Sequence, residues 1–311
     1  MIYYFGLKTC DEVPNWSALS NVRVAMTSGS YTVTVQWGTR GYSNGEFLEP
    51  GGVALDSDGN VYITDSRLNR IQKFDCNGGF VAKWGQLGAA SGSFDSPRGV
   101  AIDLQGNVYV ADEMNNRIQK FTSSGDFIAS WGDSGDESLR HPAGVGVDAV
   151  GNVYVADTGN SSVKKYDADG ILVMQWGGSG SYEGLLSGPS DVATDSVGNV
   201  YVADTGHSCI QKFSCDGAFI ETWGSLGSGE GRFSRPEALA VDLHGNLFVA
   251  DTSNNRIQKL SATGIFLTTW GGNELKAAGL YKPRGVAVSG SGVVYVTNSN
   301  PDYVRGFLSG P

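Results

Sequence analysis

Apolar and polar positions alternate along this chain in short bursts, and the bursts recur. From Asn107 to Phe121 the sequence NVYVADEMNNRIQKF sets two β-branched and aromatic stretches, 107–112 and 117–121, on either side of an Asn-rich bridge. That pattern predicts strand, loop, strand. Copies begin at Asn60, Asn152, Asn199 and Asn246. Five full units start at Pro50, Pro97, Pro142, Pro189 and Pro236, spaced by 47, 45, 47 and 47 residues, and a truncated sixth starts at Pro283. Trp37, Trp84, Trp131, Trp176, Trp223 and Trp270 keep the same register. Each unit reads as four strands, which in the second are 99–103, 107–112, 117–121 and 127–131. Gln105-Gly106-Asn107 and Ser124-Gly125 supply tight reversals between them.

Four antiparallel strands per roughly 45 residues, repeated around an axis, define an all-β fold, the β-propeller, because one blade cannot cover both of its faces alone. The sixth unit supplies three strands, to about Phe307, and stops before its Trp-bearing strand. Residues 31–37, YTVTVQW, are that missing strand at the other end of the chain. Pairing them with residues 304–307 predicts a closed ring of six blades, one shared by both termini, with no open edge at the seam. Ala54, Ala101, Gly146, Ala193, Ala240 and Ala287 share one position of the innermost strand, where six strands converge and small side chains are expected.

Composition sharpens the picture. With 311 residues and 40% hydrophobic content the chain can bury a large core, and its 45 glycines suit many tight turns. No apolar run approaches the roughly 18 to 20 residues of a membrane helix, so no membrane span is expected. Residues 1–7 are apolar but lack a basic n-region and a cleavage site, so a signal peptide is not assigned. The net charge of −10 and the absence of a basic, aromatic-interleaved stripe argue against nucleic acid. Cys209 and Cys215 bracket one predicted strand and lie too far apart to bond, and Cys76 and Cys215 share a position before a turn glycine, so free thiols are expected. Residues 1–30 stand outside the repeat as an N-terminal extension to the 31–311 propeller. Ile2, Tyr3, Tyr4 and Phe5 head a strand-prone segment with no charged side chain before Lys8. Such a segment has to be covered, either on its own propeller or on a neighbouring subunit, and the second arrangement would build a homo-oligomer or filament.

The sequence GVAIDLQGNVYVADEMNNRIQKF followed by FIASWG resembles the NHL repeat, and the six-unit pattern covers residues 31–311. The resemblance implies the six-bladed propeller. About function it implies a wide choice: protein-binding and RNA-binding platforms, sensor domains and peptide-amidating lyases.

Strand order puts the loops between second and third strands, and those leading into each first strand, on one face, where the variable sequences fall. A zinc lyase needs histidines converging near the channel mouth. His141 and His207 lie on the variable face and His244 on the opposite one, so the lyase branch's constellation is absent and no metal ligand or catalytic residue is assigned. Calcium held by Asp, Asn and Glu oxygens is the one cofactor left open. Asp56-Ser57-Asp58-Gly59-Asn60 resembles the start of a calcium loop, but Arg67 stands where a bidentate Glu is required, so it reads as one of five Asx-type turns. Gly41-Tyr42-Ser43-Asn44-Gly45 matches a nucleophile elbow by spacing only, since that motif works at a strand-to-helix turn. The pairs Asp65/Arg70, Asp112/Arg117 and Asp251/Arg256 bracket their loops and read as structural ion pairs. Units three, four and six replace the arginine with Ser162, Cys209 and Tyr303. The loops of units three and four are therefore expected to be freer, with Asn160, Tyr182, Glu183 and His207 as contacts for a protein or glycan partner. The resulting expectation is a non-catalytic interaction or scaffold propeller, extracellular or at the cell surface. The rival is a metal-dependent hydrolase or lyase with an oxygen-liganded ion at the channel mouth.

Overall fold

A computed structural model describes residues 31–135, 138–272, 279–299 and 301–309. Six four-stranded antiparallel sheets form the ring, five of them built from consecutive strands. Blade two is representative: Pro97–Ile102 lies innermost, then Val108–Asp112, Arg117–Phe121 and the outermost Phe127–Trp131. The ring closes as the sequence predicts. Tyr31–Trp37 is the outermost strand of blade six and pairs with Tyr303–Ser309, in a register running from Tyr31 opposite Ser309 to Trp37 opposite Val304. The N-terminal extension, including Ile2, Tyr3, Tyr4 and Phe5, lies outside the described residues. Among the described residues no helix is long and apolar enough to cross a membrane.

The core sits between blades. One cluster joins Ala54, Tyr62 and Ile71 of blade one to Phe94, Val100, Val108, Val110 and Phe121 of blade two. The seam is packed from both sides, because Tyr31 and Phe307 join the blade five cluster while Trp37, Tyr295 and Val304 join that of blade one. The repeated tryptophan explains one repeated glycine. Five of the six indoles lie against the last turn of the following blade, so a Cβ on Gly78 would stand 2.7 Å from Trp37, on Gly125 2.6 Å from Trp84 and on Gly170 2.7 Å from Trp131. These glycines also have positive φ, +84°, +93° and +83°, which a side chain would strain.

The Asx turns behave as read. Asp56 Oδ1 accepts the backbone N–H groups of Asp58 and Asn60, and its Oδ2 accepts from Asn60 Nδ2 and the Tyr62 hydroxyl. Burial opposes the Asp56 charge, but these donors and Lys73 outweigh it and hold the carboxyl below its ordinary pKa. Cys209 and Cys215 are free thiols.

Blade four departs from the pattern. Five innermost strands begin at the repeat proline, whereas this one begins two residues later and spans Asp191–Thr194. Innermost strands also approach one another closely two residues before the alanine column, at Gly52, Gly99, Gly144 and Gly285. A Cβ on Gly52 would stand 2.7 Å from the Arg98 carbonyl oxygen, and one on Gly99 2.6 Å from that of Ala143. Asp191 occupies that column in blade four.

Candidate functional site

Two layers build the variable-loop face. The outer layer staples each incoming loop to its blade. In blade two, Asp112 Oδ1 accepts the Asp95 N–H, and Oδ2 accepts from Arg117 Nε at 2.8 Å. The same guanidinium donates to the carbonyls of Ala89, Ala90 and Ser93. Gln119 adds its Nε2 to the Ser93 carbonyl and to Asp112. Blades one and five repeat this with Asp65 and Arg70 at 3.0 Å and Asp251 and Arg256 at 2.7 Å. Burial pushes the Asp65 carboxyl up to about 6, against the Leu48 N–H and the Arg70 charge.

The expected loosening of blades three and four is corrected here, because each has a substitute clamp. In blade three Lys164 takes the place of the repeat glutamine, and its buried Nζ lies 3.1 Å from Asp157 Oδ2 and 2.8 Å from the Ser138 carbonyl. In blade four His207 Nδ1 meets Asp204 Oδ2 at 2.8 Å, and Gln211 donates to the same oxygen at 2.7 Å. The carboxylate is kept and its partner relocated, so sequence position 162 or 209 alone did not reveal it.

The four candidate contacts divide accordingly. Asn160 is exposed but donates to Asp157 at 2.8 Å and to the Ser138 carbonyl at 3.1 Å, the role Asn115 and Asn254 have in their blades. His207 is committed to Asp204. Tyr182 stands 82% exposed at the tip of the loop into blade four, with Glu183 exposed beside it. Among the described residues no hydrogen bond or ion pair joins the four to one another.

The inner layer is an axial pocket of about 300 Å³ at the loop-face end of the channel. Its mouth carries Glu49, Arg98, Glu113, Arg235, Glu237 and Arg284, and Asp191 lies deeper on the wall. Arg98 of blade two reaches across the axis to Glu237 of blade five at 3.8 Å, and to Glu113 of its own blade at 3.7 Å. Arg235 also approaches Glu237, at 3.7 Å, and Arg284 approaches Glu49 at 3.7 Å. These separations are ion-pair distances without hydrogen-bond geometry, unlike the outer staples. Asp191 Oδ2 accepts the Leu239 N–H of blade five at 2.8 Å, and its Oδ1 occupies the space a Cβ on Gly144 would need. Burial pushes the Asp191 carboxyl up to about 7, against the Leu239 and Val192 N–H groups and the Arg98 charge. Sequence reasoning missed this pocket. The available signal was an acid in a column of Gly52, Gly99, Gly144, Ala238 and Gly285. A second was Glu113 in a column that otherwise holds Ser66, Thr158, Thr205, Thr252 and Ser299. Ser66, Thr158, Thr205 and Thr252 each donate to the proline carbonyl of the next blade.

With six blades around one pocket, the class is a six-bladed β-propeller. The family pattern described as NHL repeat matches residues 47–74, 94–121, 139–166, 186–213 and 233–260, so the chain is an NHL-repeat propeller. Compared by sequence, no curated protein matches it. Among solved structures, virginiamycin B lyase from Staphylococcus aureus is similar at TM-score 0.62 and 13% identity, over 91% of this chain and 97% of that one. A gluconolactonase from Xanthomonas campestris is similar at TM-score 0.65 and 15% identity, over 85% and 88%. A protein of unknown function from Bacteroides thetaiotaomicron reaches TM-score 0.72 at 17% identity, over 90% and 76%. At such identities the likeness shows the fold alone.

Proposed function

We propose that the protein is a non-catalytic binding module whose variable-loop face receives a protein or glycan partner, as a scaffold subunit working outside the cell or at its surface. The observation that carries this reading is a set of exposed apolar side chains on the loops of that face. Tyr42, Leu87, Met114, Tyr182 and Leu226 stand 76, 67, 49, 82 and 68% exposed on that face. Single exposed apolar residues are ordinary, but several on one face of a stapled scaffold suit an interaction surface. The opposite face exposes Leu104, Val150, Val197 and Leu243, one per tight turn, and the pocket opens away from them. Cross-linking mass spectrometry on the source material tests the reading with Leu87→Glu and Leu226→Glu, against Leu104→Glu as control. The first two should abolish the cross-links that wild type forms and the control should keep them. The opposite result would move the interaction to the other face.

Assembly through residues 1–30 remains part of this proposal. The outermost strands carry Val81, Ile128, Val173, Ile220 and Leu267 exposed along the rim, and an added strand would cover them. Native mass of the chain with and without residues 1–30 tests it, and an unchanged mass would end it.

A second reading, a hydrolase or lyase with an oxygen-liganded ion at the channel mouth, is favoured by Asp191, a titratable carboxyl on a pocket wall. Against it, three arginines interleave with the mouth carboxylates, and no histidine lines the pocket. Elemental analysis of the purified protein discriminates the two readings, since one stoichiometric ion would favour the enzyme.

A further inference from the structure

The axial pocket differs from the rest of the channel wall in what it leaves unbalanced. Its lining carries four carboxylates, Glu49, Glu113, Asp191 and Glu237, and three guanidinium groups, Arg98, Arg235 and Arg284. The guanidiniums sit at the mouth, 35 to 67% exposed and held only by the long ion pairs described above. The carboxylate of Asp191 lies below them, where two backbone N–H groups and the Arg98 charge offset its own.

Charge balance decides what such a cavity takes. One added positive charge would match the fully ionised lining, whereas an added anion would leave two uncompensated negative charges in a space partly withdrawn from water. The fold already shows that the mouth accommodates a guanidinium, because Arg98 spans the axis between Glu113 and Glu237. Its pairs, at 3.7 and 3.8 Å, lack hydrogen-bond geometry and are open to exchange. The wall beneath is flat, since Gly52, Gly99, Gly144 and Gly285 put no side chain into the channel there.

We propose that the axial pocket is a receptor for one cationic group, a guanidinium or primary ammonium carried by the partner that docks on the loop face, with Asp191 and Glu237 as its counter-charges and Arg98 as the resident group it displaces. This rests on the loop-face reading above and names the chemistry of what that face receives. Binding is coupled to protons. Asp191 is the titrating group, and the charged groups facing it are Arg98 from blade two and, around the mouth, Glu49, Glu113, Arg235, Glu237 and Arg284; the adjacent strand Pro142–Val147 contributes none. Because burial holds its carboxyl near 7, a cation bound there requires the ionised form and releases a proton at neutral pH.

The test uses agmatine, which carries a guanidinium and an ammonium, in calorimetric titrations at physiological salt. Wild type should bind it at one saturable site. Affinity should fall roughly twentyfold between pH 7.5 and 5.5, the change in the ionised fraction of a group titrating near 7. Asp191→Gly installs the residue that four other blades carry at this position, so the fold tolerates it, and it should lose binding. Glu237→Gln should lose at least tenfold. Succinate and calcium are titrated alongside. Saturable succinate binding would reverse the charge assignment. Calcium binding lost in Asp191→Gly, without agmatine binding, would convert the pocket to a metal site. No saturable agmatine binding, or equal binding by Asp191→Gly, also overturns the proposal. Because agmatine needs only the pocket, such a failure leaves the loop-tip cross-linking experiment as the separate judge of the loop-face reading.

Discussion

Removing the Lys164 amine should destabilise blade three more than any surface substitution in this chain. Lys164 and Asp157 are 2 and 0% exposed, and their charged atoms are 3.1 Å apart. At an effective dielectric of about 20, that separation corresponds to an attraction of about 5 kcal/mol, which the cost of desolvating both ions largely offsets. The pair as a whole therefore adds little. Breaking it is a different matter, since Lys164→Ala leaves a buried carboxylate with no cation, a change that costs about 3–5 kcal/mol. Asp157 keeps the Arg140 N–H at 2.7 Å and Asn160 at 2.8 Å, which places the expected loss near the lower end. Lys164→Gln restores the residue found at 72, 119, 211 and 258, all of which donate to a loop carbonyl, and should lose about 1 to 2 kcal/mol. The double variant Ser162→Arg with Lys164→Gln transplants the blade two clamp and should return to within about 1 kcal/mol of wild type. Urea unfolding followed by tryptophan fluorescence, with amide exchange resolving blade three, measures all three. If Lys164→Ala lies within about 1 kcal/mol of wild type, or the double variant is as unstable as Lys164→Ala, the relocated clamp is not what holds the loop.

Three further outcomes follow from the packing and the titrations. Gly125→Ala forces a Cβ to 2.6 Å from Trp84 at φ +93°, and should lower the denaturation midpoint by the equivalent of about 2 kcal/mol or more. Tyr31→Ala removes a buried ring stacked at 3.8 Å on Trp270, and should cost about 3 kcal/mol and raise proteolysis at the blade five to blade six junction. Asp191 titrates higher folded than unfolded, so the folded state holds its proton more tightly. Its favourable contribution is complete below about pH 4 and lost as pH rises through about 7. Asp191→Asn should therefore gain stability relative to wild type between pH 4 and 7, and a flat difference across that window would refute the assignment.

How far the sequence could be read depends on whether a feature was copied or changed. The ring and its closure were legible because Trp37 keeps the register of five other tryptophans and lacks a blade of its own, so only pairing with the last strand completes the count. The Asx turns were legible for the same reason: Asp56, Asp103, Asp148, Asp195 and Asp242 recur with the same Asn four residues on. The loop clamps were half legible. The Asp and Arg of blades one, two and five are neighbours across one strand pair, so spacing reveals them. In blade three the cation moved two residues along the strand, to the position of the glutamine, where the same face of the sheet still reaches Asp157. Alternation permits that move and a column-by-column comparison at position 162 does not see it. The pocket was illegible for a different reason. Arg98 and Glu237 belong to blades on opposite sides of the ring, and no local pattern announces that two residues 139 positions apart meet across an axis.

Two of the departures from the repeat line the axial pocket. A repeat that serves only the ring has no use for an acid where two innermost strands approach closely. A carboxylate there costs more than the glycine that four other blades retain. The fold accommodates it by starting the blade four strand two residues late and by keeping glycine at position 144 opposite the carboxylate. The Ser or Thr that latches most blades to their neighbour is likewise exchanged for Glu113 at the one position facing Arg98. Two departures from the repeat, one of which adds a hydrogen bond from the Leu239 N–H to Asp191, thus meet at one cavity at the loop-face end of the axis. Both fall at the cavity that the proposed cation receptor uses, and the remaining staples and latches hold its walls still.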